Sequence, residues 1–363
     1  MVSDAAGVTQ LAGALRKADT IGVDTEFFRE RTFFPIVGLV QLNADGELFL
    51  VDPLAVPLQD ALADTLADQS KSKIFHSASE DLQLFEHCCG VLPKPLIDTQ
   101  IAASFAGIGP SVAYQRLVHH VTGQELPKDQ TRSNWLERPL TEKQLRYAVQ
   151  DVEFLLQIWD TLSAEIEARG SLSWCLEEMR RVGEPESAFP TPEACFARIK
   201  GAARLQPTAQ ARLRHLAAWR ERTARAADVP RSFIIRDGAL VDIAKRPPQN
   251  RNVLGSSDLM HPSAVRKYGK GLIEALQVDN GDGPKVALLP RAELNSSDTA
   301  VLAELQTLVR AQAEHLDLPP ELLARKRDLV ELFQRDELEH APLVLTGWRL
   351  QVIGETLLEA MDG

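Results

Sequence analysis

The sequence predicts an α/β domain, a mixed sheet with flanking helices, followed by two small all-α domains. Three features point there. Over the first 110 residues, short apolar runs of strand length alternate with segments of helical period, whereas beyond about residue 205 nearly every apolar residue falls on a helical period. Between them, from about Gly183 to Pro192, the chain is rich in Pro, Glu and Ser, a linker composition. Its 363 residues also exceed what one hydrophobic core ordinarily serves.

In chain order, a helix is expected over Thr9 to Ala18, then a buried strand over Ile21 to Phe27. Two further apolar runs, Ile36 to Leu42 and Leu48 to Val51, flank Asn43-Ala44-Asp45-Gly46, and the Asp-Gly pair makes them a hairpin. Lys73 to Phe75 and Leu96 to Asp98 are short strands that each feed a helix. After Pro139-Leu140, Thr141 and Gln144 form a capping box. Apolar positions from Leu145 through Trp159 carry that helix to a stop at Gly170. Later helices are expected over Thr208 to Ala226, Ser263 to Gln277, Ser297 to Glu314, Pro320 to Arg335 and Thr346 to Met361, interrupted by the Gly- and Asp-rich stretch Val278 to Pro284. The expected domains are 1–182, a linker 183–204, and helical domains 205–284 and 285–363.

With 44% hydrophobic and 25% charged residues, the composition is that of ordinary globular proteins. No window approaches 18 uninterrupted apolar residues, so no membrane span is expected. Nor does Met1 to Thr20 read as a signal peptide. Cys88 and Cys89 are adjacent while Cys175 and Cys195 stand alone, which suits neither a metal cluster nor a disulfide framework; a reduced, cytoplasmic setting is expected. The net charge of −11 hides an asymmetry: Arg198 to Lys270 holds 16 Lys and Arg against 5 Asp and Glu. A basic module beside an acidic one suits an enzyme that holds a phosphate backbone in one place and cations in another. A solvated helical surface with no partner has the same composition.

Asp24 and Glu26 stand at i and i+2 of an otherwise apolar strand, which points both carboxylates to one face. Two such acids repel one another and lose hydration, a cost that a bound cation removes. Oxygen ligands of this kind suit Mg2+ or Mn2+ rather than zinc. Glu26 at a frayed strand end, in water, is the plainer alternative. Asp81 follows His76-Ser77-Ala78-Ser79-Glu80, where Ser77 and Glu80 have capping-box spacing and place Asp81 in a first helical turn. The helix dipole favours acids there without any chemistry. Tyr147 and Asp151, at i and i+4, share a helix face. Asp151 lies among Val149, Val152, Phe154 and Leu155, unless it turns to the flank and pairs with Lys143 or Arg146. Each acid has a structural excuse when taken singly.

Taken jointly, Asp24-x-Glu26, Asp81 and Tyr147-x-x-x-Asp151 resemble in order and spacing the three exonuclease motifs of the DEDD superfamily. The Tyr four residues before the last Asp resembles the DEDDy branch; Arg146 stands where the other branch has His. The segments Val23 to Phe27, Arg29 to Thr32, Gly38 to Gln41, Lys128 to Leu136, Arg138 to Leu140 and Tyr147 to Val152 resemble the bacterial ribonuclease D family. The basic helical region Leu213 to Leu276 is similar to an HRDC module, the helical domain shared with RecQ helicases, and Leu323 to Leu329 with Thr346 to Arg349 resembles a second one.

That resemblance implies a ribonuclease-H-like fold in the first domain and 3′→5′ exoribonuclease activity that releases 5′ mononucleotides. It also implies two divalent cations, Mg2+ or Mn2+, held by Asp24, Glu26, Asp81 and Asp151, with Tyr147 hydrogen-bonding the attacking water. Expected partners are RNA 3′ ends, precursor tRNA among them; no membrane, no organic cofactor and a monomeric state are expected. Further nucleic-acid contacts are expected from Phe28, Gln41, Lys128, Arg132 and Trp135. For the phenylalanines 27, 28, 33 and 34 as a group, core packing is the commoner use, and Lys128 to Trp135 reads equally as a surface loop. His119 and His120 read as helix surface. Two rivals remain: a DNA exonuclease of the Werner or proofreading type, and a non-catalytic RNA-binding scaffold. Competent residues at all five positions oppose the second.

Overall fold

The computed structural model describes residues 1–362 except 128–132, 186–188, 278–288, 290–293, 336, 337 and 339. The chain forms two compact units. The first comprises Met1–Arg29, Phe34–Phe189 and Asp317–Pro319; the second comprises Glu30–Phe33, Pro190–Leu316 and Pro320–Gly363. Among the described residues no helix is long and apolar enough to cross a membrane.

The first unit is built on one five-stranded sheet of β1 (Thr20–Phe28), β2 (Ile36–Ala44), β3 (Glu47–Val51), β4 (Ser72–Phe75) and β5 (Leu96–Asp98), in the order β3-β2-β1-β4-β5. β1 pairs antiparallel with β2 and β2 with β3, while β1–β4 and β4–β5 are parallel. The Asp45-Gly46 hairpin forms as expected, with φ of 48° and 99° at its two central residues. Alternation then sorts the faces. Ile21, Val23, Val40 and Leu42 point into a core shared with α1 (Ala5–Lys17), α2 (Leu58–Ala67) and α3 (Ser79–Cys89). Leu39 and Leu50 point the other way and meet Trp135 and Ala148, the latter on α6 (Glu142–Glu153). The remaining helices of this unit are α4 (Thr99–Phe105), α5 (Tyr114–Thr122), α7 (Leu155–Ala168) and α8 (Leu172–Val182).

Three expectations change. The first helix starts at Ala5 rather than Thr9, because the Asp4 carboxylate caps it by accepting the Gly7 N–H at 2.8 Å. The helix expected to run from Thr141 to Gly170 is broken at Phe154, where α6 ends and α7 begins. Its break is stabilised from two sides. Asn43 donates to the carbonyls of Val152 (3.0 Å) and Glu153 (3.1 Å), and the Tyr114 hydroxyl donates to Gln150 (3.0 Å) while accepting the Phe154 N–H (3.3 Å). Periodicity reports the buried face of a helix and is blind to donors arriving from other elements. Third, the Ser77–Glu80 cap does not form: α3 starts at Ser79, and Ser77 sits at φ +64°.

The second unit is helical. Pro207–Ala227 buries Leu213, Leu216, Ala217 and Ala224, and it packs with helices Asp237–Lys245 and Pro262–Gln277. Ser296–Leu316 packs with Pro320–Leu323, Lys326–Leu332 and Glu355–Asp362. The helix expected over Pro320 to Arg335 divides before Arg325, whose N–H is taken by the Asp328 carboxylate at 2.8 Å, capping the next turn. The interruption expected over Val278 to Pro284 lies outside the described residues.

Candidate active site

Asp24 and Glu26 occupy the second half of β1, at Cα positions paired with Gln41 and Leu39 of β2. Strand alternation turns both toward the face covered by α6, which carries Tyr147 and Asp151. One carboxylate oxygen from each of Asp24, Glu26 and Asp151 lies within 4.8 Å of the others. No other group of three His, Cys, Asp or Glu among the described residues has that geometry. Asp81 stands outside the trio: it is buried, and its carboxylate accepts the hydroxyl proton of Thr25, on the strand between the two β1 acids. The Tyr147 hydroxyl lies close enough to the Asp151 carboxylate to favour its charged form.

The electrostatics follow from the crowding. Burial, then the charge of Asp151, holds the Asp24 carboxyl well above the usual range, and burial with the charge of Asp24 does the same for Asp81. Burial, followed by Asp24, Asp151 and Asp81, pushes Glu26 up to about 9. Burial raises Asp151 to about 7 against the opposing pull of the Tyr147 hydrogen bond. Burial and the surrounding carboxylates raise Tyr147 as well, so it stays a neutral donor. Acids that resist ionising together lack a positive charge among them. Their donor set, carboxylate oxygens without thiolate or imidazole, fits a hard divalent cation.

Two supports were not legible in the sequence. Asp98, 4% exposed at the end of β5, accepts the N–H groups of Ser77, Ala78 and Gln100, each at 2.9 Å. It replaces the expected Ser77 cap and fixes the turn that delivers Asp81, holding Ser77 in a conformation that a non-glycine residue rarely adopts. Its strand-end position before a helix marks it as a cap for α4, but the reach to Ser77 crosses 21 residues. The other is Arg138, which grips Asp52 bidentately (2.7 and 2.8 Å) and the carbonyls of Gly38 (2.7 Å) and Trp135 (2.8 Å). A Cβ on Gly38 would come within 2.6 Å of the Trp135 Cβ, so only glycine lets Trp135 seat there, 6.1 Å from the Tyr147 ring. Arg138→Ala is expected to cost about 3 kcal/mol, since it strands a buried Asp52 and two carbonyls; thermal melting checks this. A shift below about 1 kcal/mol would show the cluster to be incidental.

The expected nucleic-acid contacts divide. Phe28 is half-buried at the end of β1. Gln41 and Trp135 are core residues, 0% and 2% exposed, and present no surface to a nucleotide. Lys128 and Arg132 lie outside the described residues. Of the other phenylalanines, Phe27 packs on the core and Phe34 stacks on His87 at 3.9 Å. Phe33 is buried in the second unit, 4.7 Å from the Arg231 guanidinium. His119 and His120 are exposed on α5.

Comparison with known proteins agrees with the fold and the motifs. Residues 1–167 match the 3′-5′ exonuclease family model and residues 209–276 match the HRDC domain. The chain is 36% identical to ribonuclease D of Pseudomonas paraeruginosa over 99% of this chain and 97% of that one. It is 37% identical to ribonuclease D of Xanthomonas oryzae pv. oryzae over 94% and 93%. Among solved structures, the crystal structure of Escherichia coli RNase D, an exoribonuclease involved in structured RNA processing, superposes with a TM-score of 0.88 at 33% identity, covering 100% of this chain and 98% of that one. A catalytic core of RRP6 from Trypanosoma brucei shares the fold at a TM-score of 0.56 and 24% identity, over 76% of this chain and 77% of that one. With relatives of this identity matching from end to end, the chain belongs to the ribonuclease D family of 3′→5′ exoribonucleases.

Proposed function

We propose that this chain removes nucleoside 5′-monophosphates one at a time from the 3′-hydroxyl end of structured RNAs, precursor tRNA trailers among them, using two divalent cations, Mg2+ or Mn2+. The observation that carries the reading is the convergence of Asp24, Glu26 and Asp151 oxygens within 4.8 Å. Asp24, Glu26 and Asp151 would hold one cation, and Asp24 with Asp81 the second. Bound there, the cations supply Lewis-acid charge that activates water and stabilises the departing 3′ oxygen. Tyr147, a neutral donor throughout the working pH range, aligns the attacking water and withdraws no proton from it. Thr25 and Asp98 keep Asp81 at the edge of the trio. The four cysteines are free thiols, the form that a reducing cytoplasm maintains, and the chain is proposed to act there as a monomer.

RNA rather than DNA as substrate is supported by the names of the relatives. Matched RNA and DNA oligonucleotides with 3′-hydroxyl ends test it: the RNA is expected to shorten from its 3′ end, and equal or faster digestion of DNA would favour the Werner or proofreading type. Tyr147→Phe is expected to lower turnover at least about a hundredfold, with Mn2+ binding intact by calorimetry. Unchanged turnover would make Tyr147 a packing residue.

A further inference from the structure

Asp151 stands in the last turn of α6, one residue after Gln150 and one before Val152. A helix end leaves its final carbonyls without intrahelical donors, and water commonly satisfies them. Here the carbonyls of Gln150, Val152 and Glu153, on both sides of Asp151, are each taken by a side chain from elsewhere. Two different elements supply those donors. Asn43 comes from β2, where it pairs with Gly22 of β1, two residues before Asp24; Tyr114 comes from α5 on the helical side. The Tyr114 hydroxyl spans the break itself, donating to Gln150 and accepting from Phe154. Gly22 completes the arrangement: a Cβ there would come within 3.1 Å of Leu156 and 3.3 Å of Leu155, the first residues of α7.

We propose that Tyr114 and Asn43 are positioning residues for the reaction, clamping the α6–α7 break between sheet and helices so that Asp151 and Tyr147 are aimed at Asp24 and Glu26. The inference rests on the cation-binding reading of those carboxylates. Its physical basis is tolerance. Carboxylate ligation is lost over a few tenths of an ångström, and a helix end held only by water moves by more than that. Asn43 ties the break to the strand next to the one bearing Asp24, so the two halves of the site share one frame. Tyr114 closes the frame from α5, through the backbone of Gln150 and Phe154.

Tyr114→Phe in the full chain removes one hydroxyl and retains the ring. The readouts are kcat and KM on a 3′-hydroxyl RNA oligonucleotide, the Mg2+ concentration for half-maximal rate, and Mn2+ affinity by calorimetry. The expected result is a loss of about tenfold to a hundredfold in kcat or cation affinity, a higher Mg2+ requirement and an unchanged KM for RNA. Wild-type kcat and cation dependence in a folded variant would overturn the proposal, whatever happens to the melting temperature. Should Tyr114→Phe not fold, Asn43→Ala removes the donors on the sheet side and is judged by the same readouts. An active wild type with unaffected variants sinks this inference alone, whereas a wild type whose hydrolysis ignores divalent cations sinks the reading beneath it.

Discussion

Asp24→Asn is expected to reduce turnover in Mg2+ by about a thousandfold or more, while the metal-free variant melts at a higher temperature than the metal-free wild type. The first half follows from the loss of about 4 kcal/mol of transition-state stabilisation when the acid at the centre of the trio stops holding a cation. The second half is the more discriminating. Asp24 is half-buried beside Asp151 and Glu26, and desolvation with the charge of Asp151 pushes its carboxyl far from its ordinary range. An amide of the same shape removes the repulsion and keeps the packing, the usual exchange of activity for stability at a strained site. Asp151→Asn is expected to behave likewise. Both effects are read from one preparation, by oligonucleotide hydrolysis and by calorimetric melting without cation. Near-normal hydrolysis would remove Asp24 from the chemistry, and a lower melting temperature would mean that its carboxylate is structurally paired rather than strained.

The second large effect is a linkage between protons, cations and stability. In the folded, metal-free chain Glu26 titrates near 9 and Asp151 near 7, against ordinary values of 4.5 and 3.8. Between those limits the folded state holds protons that the unfolded chain has released, so stability falls as pH rises and levels off above about 9 for these groups. Cation binding must displace the same protons, and affinity is therefore expected to rise with pH, by about tenfold per unit wherever one proton leaves per ion bound. Melting curves from pH 5.5 to 9, with and without Mg2+, read both at once: the metal-free curve declines across this range and the gap between the two curves widens. A gap that is constant with pH would contradict the raised carboxyls. Asp52 works in the opposite sense and in another window. Its carboxyl is held below the usual range by Arg138, so its contribution is full above about 4 and is lost only in acid.

What the sequence made legible was whatever depends on alternation and order. The five strands, the Asp45-Gly46 turn, the Thr141–Gln144 capping box and the convergence of Asp24, Glu26 and Asp151 all follow from local rules or from a pattern of spaced motifs. Hidden features depend on side chains that satisfy backbone groups far along the chain. Asp98 reaches back to Ser77, Asn43 reaches forward to Val152, and Arg138 reaches Gly38; no periodicity encodes these bonds. They also explain the misplacements. Gln41 and Trp135 lie in segments that carry the family resemblance, yet both are core residues, and the glycine at position 38 is what lets Trp135 seat there.

The central claim is that these carboxylates serve cation-dependent removal of nucleotides from the 3′ end of RNA. Its most direct test follows a 5′-labelled RNA bearing a 3′-hydroxyl, incubated with the purified chain in Mg2+, with samples taken over time and the released products identified. The expected result is a ladder that shortens one nucleotide at a time from the 3′ end, free 5′-monophosphates, and full arrest by a chelator that added Mg2+ or Mn2+ reverses. Internal cleavage, shortening that persists in chelator, or an inert chain in both metals would contradict it.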